Sequence, residues 1–219
     1  MEYRVIDLAR EPRRAQFGHF LQMENPQVGV TVPVDVSRAR RFARERGASF
    51  YLVFLHLAAL AANAVPELRR RIRDGGIVEY PRCDTSHTEL PDSGIYCYCT
   101  LRHDMGWDAY LPYAEAARAA CLAAPSLEED ADVESYLFIS ALPWLNYTQL
   151  IQPTDGRLDS HPRISWGRCE QDALGRLMMP VTLQAHHGLV DGIHIAQFFD
   201  RLKAELNALP LSQTEVKHA

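Results

Sequence analysis

The sequence predicts an α/β fold, with strand-like and helix-like segments alternating through one single domain of residues 1–219. Three observations carry that expectation. Runs of period-two alternation recur along the chain, as in residues 28–36 (VGVTVPVDV). Between them lie longer stretches with helical spacing or all-round apolar character, as in residues 50–63 (FYLVFLHLAALAAN). No internal repeat, low-complexity tract or Pro/Ser-rich linker divides the chain.

Element by element, residues 28–36 read as a half-buried strand that Pro33 places at an edge or a bulge. Ser37 is the expected N-cap of a helix running to about Arg46 and stopped by Gly47. Residues 50–63 form a second, largely buried helix, apolar around nearly its whole circumference. Asp74-Gly75-Gly76 signals a turn before a short strand at 77–80. Residues 94–101 (GIYCYCTL) alternate as a strand, residues 107–123 form a helix, and the acidic run 126–132 is a solvated loop. Strands are expected at 134–142, 164–169 and 177–186. Residues 192–209 close the chain as an amphipathic helix turning Ile193, Ile195, Ala196, Phe198, Phe199, Leu202 and Leu206 to the core.

Composition narrows the function classes. With 47% hydrophobic and 23% charged residues the chain is ordinary for a globular protein. A domain of this size hides roughly 70% of the surface its unfolded chain exposes. The net charge of −5 argues against a nucleic-acid partner. The longest apolar run, residues 50–65, is interrupted by His56 and Asn63 and stops at Pro66, short of a membrane span. The opening residues lack a secretory signal pattern, so a cytoplasmic protein is the expectation. Five cysteines, at 83, 97, 99, 121 and 169, fit neither a disulfide framework nor a zinc ribbon and read as reduced, core-filling thiols, with Cys97 and Cys99 on one side of their strand.

The most informative stretch is Leu183-Gln184-Ala185-His186-His187-Gly188-Leu189-Val190-Asp191-Gly192. A strand ends at two histidines, the chain turns at Gly188, and a helix begins near Asp191, whose carboxylate can cap exposed backbone N–H groups. A histidine on so fixed a backbone can be held in one tautomer and serve as a general base. Two bland alternatives stand beside this one. The ring can be an ordinary satisfied core residue, or, were the segment one continuous helix, His187 and Asp191 could share a face and chelate zinc. The flanking glycines and the β-type run before them argue against that helix, and no metal is expected.

HHGLVDG (residues 186–192) fits the H-H-x-x-x-D-G signature of the coenzyme-A-dependent acyltransferase superfamily, and two further elements resemble one branch of it. Ile139-Ser140-Ala141-Leu142-Pro143-Trp144-Leu145-Asn146-Tyr147 looks like the S-A-x-P-W-x-x-F/Y element of chloramphenicol acetyltransferases, and Arg13-Arg14-x-x-Phe17 like their R-R/K-x-x-F stretch. The resemblance runs over nearly the whole chain. It implies a two-layer sandwich, a mixed β-sheet with packed helices, assembled as a homotrimer with active sites at subunit interfaces. It also implies acetyl-CoA as co-substrate, with no permanently bound cofactor, and a small hydroxyl-bearing acceptor such as chloramphenicol or a related antibiotic.

By the same resemblance His187 is the general base, drawing the proton from an acceptor hydroxyl that attacks the thioester directly, without an acyl-enzyme. Ser140 would stabilise the oxyanion, and Ser165 or its neighbour Trp166 would hold the intermediate. Asp191 and Arg13 would form a buried ion pair supporting the site. His186 is read as structural or as lining the coenzyme tunnel, and Pro143-Trp144 as core and trimer packing. His19, Phe20 and Val28 are acceptor-pocket candidates, where the family uses more aromatic residues. Residues 83–89 (CDTSHTE) also depart from the family's Y/F-T-V-F-type run. Two other readings remain: an acyltransferase core of the dihydrolipoyl type, whose members lack the S-A-x-P-W element, and a non-catalytic trimeric binding protein.

Overall fold

The computed structural model describes residues 2–128 and 133–212. In chain order the strands and helices are β1 (Arg4–Ile6), α1 (Arg14–Phe20), β2 (Gln27–Asp35), α2 (Ser37–Arg46), α3 (Phe50–Asn63), β3 (Arg70–Arg73), β4 (Gly76–Glu79), β5 (Thr85–Glu89), β6 (Cys97–Leu101), α4 (Trp107–Ala123), β7 (Leu137–Leu142), β8 (Arg163–Gly167), β9 (Glu170–Gln171), β10 (Leu177–His186) and α5 (Gly192–Ala208). The sheet that carries the molecule runs β2-β10-β8-β7-β5-β6, with β9 pairing only β10, and a small sheet β1-β4-β3 stands apart. Pairings β7–β8 and β5–β7 are parallel and the rest antiparallel, so the sheet is mixed.

One face of the large sheet is covered by helices. Helix α3 lies at the centre of that layer, buries residues from Leu52 to Ala62, and packs on α2, α4 and α5. Its all-round apolar sequence is explained by that position. Trp166 of β8 points into this layer against Tyr51 and Phe54.

The register supports the edge reading of Pro33. β2 ends the sheet, and Pro33 sits directly opposite Pro180 of β10. Pro180 lies between the stretch of β10 that pairs with β8 and the stretch that pairs with β9, so its missing N–H interrupts neither ladder. At the turn, Asp74 and Gly75 both adopt positive φ (51° and 74°), the geometry of a tight hairpin between β3 and β4.

Four expectations need correction. Ser37 is the first helical residue rather than the cap: the Asp35 carboxylate accepts its N–H and hydroxyl, and the Ser37 hydroxyl accepts from Leu177 N. In α5, Ile193 is 63% exposed and Ala196 is exposed too, while Ile195, Phe198, Leu202 and Leu206 are buried. The strand expected at 134–142 begins only at Leu137, because residues 133–135 form a 3₁₀ turn. Trp144 is 63% exposed rather than core. Part of the acidic run 126–132 lies outside the described residues. Cys97 and Cys99 do face one side, toward α4, where Cys97 Sγ is 3.4 Å from Cys121 Sγ. Among the described residues no helix is long and apolar enough to cross a membrane.

Candidate active site

Where β10 ends, the chain folds back on itself and fixes His187 from several directions. Its backbone N–H donates to Pro26 O at 2.7 Å and its carbonyl accepts from Arg13 Nη2 at 3.0 Å. The ring Nδ1 lies 3.0 Å from Val190 O. A carbonyl can only accept, so Nδ1 carries the proton and Nε2 keeps a free lone pair. Phe20 stacks flat on the imidazole, centroids 4.0 Å apart and planes 14° from parallel. A partly buried ring with one committed nitrogen and one free basic nitrogen can accept a proton without reorienting.

His186 is a structural residue. It is 1% exposed, its Nε2–H donates to Arg157 O, and its Nδ1 accepts from Gly188 N. Gly188 is required by space: a Cβ there would meet His186 Cε1 and Nδ1 at 2.9 Å and Phe17 Cδ2 at 3.4 Å. Asp191 caps α5 as the sequence suggests, its Oδ1 accepting from Gly192 N at 2.7 Å, while its own N–H donates to His194 Nδ1. That cap, with the Arg13 charge, holds the carboxyl below its ordinary range against a small desolvation penalty.

The ion pair between Arg13 and Asp191 is present at 3.7 Å, but the Asp191 side chain is 50% exposed in this chain, so it is not a buried pair. Arg13 instead grips the turn through the His187 carbonyl, and its Nη1 is buried without a hydrogen-bond partner among the described residues. His19 packs edge-on against Phe20, and Val28 sits opposite Ala185 on β2. Arg13, His19, Phe20, Val28, His187 and Asp191 therefore gather at one end of the sheet.

Ser140 belongs to a different place. It lies on β7 beside Ser165 of β8, which lies beside Thr182 of β10, which lies beside Thr31 of β2. These four hydroxyls form a row across the helix-free face, with Thr31 and Thr182 Oγ1 2.7 Å apart. Ser165 shares the face of Ser140, while Trp166 points to the helices. Ser165 is buried, however, and its Oγ accepts from Gln152 Nε2 at 2.6 Å, so Gln152 stands between it and the open space.

That open space is a cavity of about 610 Å³ lined by Ser140, Tyr98, Phe138, Leu150, Gln152 and neighbouring residues. β5 and β7 pair only as far as His87 and Ile139 and then part. Through this gap a second cavity of about 620 Å³ lies on the helix side, lined by Arg40, Tyr51, Trp144, Trp166, Arg168 and others. Thr88, Glu89, Leu90, Ala141 and Trp144 border both cavities, which form two chambers on either side of one throat. Trp144 and Gln152 went unmarked as chamber residues in the sequence, whereas Glu89 ends the 83–89 run set apart there for its departure from the family's pattern. Only the S-A-x-P-W element hinted at the first.

His187 lines neither chamber. Ser140 and Thr182 are two strands apart, and His187 stands five positions beyond Thr182. With strands about 4.8 Å apart and about 3.4 Å per residue, His187 and Ser140 of one chain are roughly 20 Å apart. A single copy thus presents the His187 imidazole at one end and a double chamber elsewhere.

Comparison with known proteins points to one family. A family model described as chloramphenicol acetyltransferase matches residues 1–203. Chloramphenicol acetyltransferase 3 of Escherichia coli is 26% identical over 95% of this chain and 99% of its own length. Chloramphenicol acetyltransferase 2 of Haemophilus influenzae is 27% identical over 93% and 96%. A solved chloramphenicol acetyltransferase structure superposes with a TM-score of 0.83 at 27% identity, covering 94% of this chain and all of that one. The dihydrolipoamide acetyltransferase of Azotobacter vinelandii shares the fold alone, with a TM-score of 0.66 at 16% identity over 89% and 86%. The family model and the full-length relatives place this chain in the chloramphenicol acetyltransferase family.

Proposed function

We propose that this protein transfers the acetyl group of acetyl-CoA to a hydroxyl of a small acceptor, with chloramphenicol or a related antibiotic as the first candidate. His187 Nε2 takes the proton from the hydroxyl, and the oxygen attacks the thioester carbonyl. The tetrahedral oxyanion accepts a hydrogen bond from Ser140, and its collapse expels the CoA thiolate, which recovers a proton from the imidazolium. A positioned base typically contributes 10²–10⁴-fold, and one oxyanion donor about 3 kcal/mol. Holding both substrates in adjoining chambers removes the entropy cost of their encounter from the chemical step.

The observation that carries this reading is the 3.0 Å contact of His187 Nδ1 with Val190 O, which commits the ring proton to Nδ1 and leaves Nε2 without a partner among the described residues. The helix-side chamber, with Arg40 and Arg168 on its wall, suits the anionic coenzyme, and the chamber of Ser140 suits the acceptor. The distance between His187 and Ser140 favours a site shared between subunits, His187 of one copy reaching the chamber of the next in a trimer. Asp191 and Arg13 support the turn that carries His187. Ser165, acting through Gln152, is the polar group behind the intermediate. The dihydrolipoyl-type alternative is less favoured, since those structures match at lower identity and lower TM-score.

The test is a thiol-release assay with acetyl-CoA and a panel of hydroxyl-bearing antibiotics and metabolites. Wild type should release CoA with at least one acceptor, and His187→Ala should lose at least about 100-fold in kcat while its assembly is unchanged. Retention of more than a few per cent of the wild-type rate removes His187 from the role of base.

A further inference from the structure

Between β7 and β8 the chain crosses the helix-free face of the sheet, and one residue there is held by three hydrogen bonds. Gln152 N–H donates to Gln184 Oε1 at 2.9 Å, and its carbonyl accepts from Gln184 Nε2 at 3.1 Å, so one buried side chain of β10 clamps this stretch of main chain. The Gln152 side chain then donates from Nε2 to Ser165 Oγ at 2.6 Å. A carboxamide has two N–H donors and one carbonyl acceptor. Here one N–H is committed, and Oε1 has no hydrogen-bond partner among the described residues. Gln152 is half-buried and lines the chamber of Ser140, so Oε1 and the second N–H are left for a molecule inside it.

Among the described residues, the charged side chains beside this chamber are already committed. Arg163 on its wall gives both terminal nitrogens to the Asp159 carboxylate. Glu89 borders the chamber but turns its carboxylate to the helix side, as Cys97 opposite it turns its thiol, and Arg118 of α4 holds it there at 2.8 Å. Phe138, Leu150 and Ile151 add apolar wall. An ammonium entering such a space exchanges its water for a carbonyl dipole, whereas a neutral polar group gives up less and is matched by the amide. Ser165 stands in register with Ser140, so the Gln152 amide lies about one strand spacing, about 4.8 Å, from the hydroxyl proposed for the oxyanion. The group it meets is therefore a few bonds from the reacting hydroxyl.

Resting on the acetyl-transfer reading above, we propose that Gln152 is a specificity-determining residue of the acceptor chamber. Its clamped carboxamide pairs with an uncharged polar group of the acceptor, an amide or a second hydroxyl. The chamber thus admits neutral hydroxyl compounds and turns away cationic ones of similar shape.

The experiment compares chloramphenicol with its deacylated amine, which keeps the diol and carries an ammonium in place of the amide. It measures kcat/KM by thiol release and Kd by titration calorimetry. Wild type should prefer the amide by about 10- to 100-fold. Gln152→Leu should weaken the amide by about 3- to 10-fold. Gln152→Glu still accepts from the Ser165 hydroxyl and leaves the Gln184 clamp, made to the main chain, in place. It should move the preference toward the amine by at least about 10-fold, because a carboxylate now meets the ammonium. Thermal unfolding and assembly of each variant confirm a folded protein. If Gln152 serves only to tie its segment to the sheet, Gln152→Glu lowers both compounds equally, the ratio is unchanged, and the proposal is overturned. Equal wild-type binding of amide and amine, or binding of neither, also overturns it. If wild type binds with the expected preference but releases no CoA, Gln152 keeps its role and the acetyl-transfer reading fails.

Discussion

Mixing two inactive variants tests the division of the site most directly. His187→Ala removes the proposed base at the end of β10, and Ser140→Ala removes the hydroxyl on β7. By sheet geometry these groups are roughly 20 Å apart in one chain, far beyond a hydrogen bond. If each site takes His187 from one subunit and Ser140 from the next, a mixed trimer contains sites in which both are intact. Random reassembly from equal amounts leaves about a quarter of all sites with both residues, because each is intact with a chance of about one half. The assay denatures the two variants together, refolds them, and compares thiol release with that of each variant refolded alone. Recovery to about a quarter of wild-type activity is expected. Activity no higher than that of the separate variants, with trimers confirmed by sedimentation, would refute the shared site.

Two further predictions concern the scaffold. Gly188→Ala drives a Cβ to 2.9 Å from the His186 ring, whose two nitrogens are both bonded to backbone, so the ring must give up at least one bond. A loss of about 1–3 kcal/mol is expected, lowering Tm by several degrees together with turnover, and an unchanged Tm would show that the turn has room. Acid sensitivity should arise at His56, buried on α3 with Nδ1 3.0 Å from His103 Nδ1, whose Nε2 in turn contacts Thr85. Burial lowers the His56 pKa to about 4, and that of His103 well below its ordinary value. The unfolded chain takes up these protons first, so stability is full above about pH 6.5 and falls as pH drops from there toward 4. His56 alone is expected to cost about 2 kcal/mol between pH 7.5 and pH 5. Denaturation of His56→Phe should show a flatter pH dependence than wild type, and equal slopes would remove His56 as the cause.

Sequence reading recovered the elements whose pattern is set by a water-facing and a core-facing side. Helices at 50–63 and 107–123 and the strand at 177–186 coincide with α3, α4 and β10. It did not recover β5, because Thr85, His87 and Glu89 face the helices as buried polar residues, so the apolar alternation that marks a strand is missing. β3 escaped for a similar reason: its sequence is Arg-Arg-Ile-Arg, yet Arg71 is 2% exposed and donates to the carbonyls of Leu68, Arg70 and Tyr136. α1 buries only Phe17, too little for a periodic signal. The turn around His187 was legible because Gly188, Asp191 and Gly192 are residue types with specific backbone uses. The chambers were not, since Glu89, Trp144 and Gln152 meet only where β5 and β7 part company, far from one another in the chain.

The facing prolines of β2 and β10 bear on how the molecule stays separate from its copies along that border. Neither imino acid offers a hydrogen to the other, so the pair suits a position where backbone groups turn away from each other. Pro33 then leaves a gap in the outward row of donors midway along an otherwise β-branched ribbon. A stray strand laid along this border would find its ladder interrupted after a few rungs, which guards against runaway cross-β growth at the most valine-rich rim of the molecule.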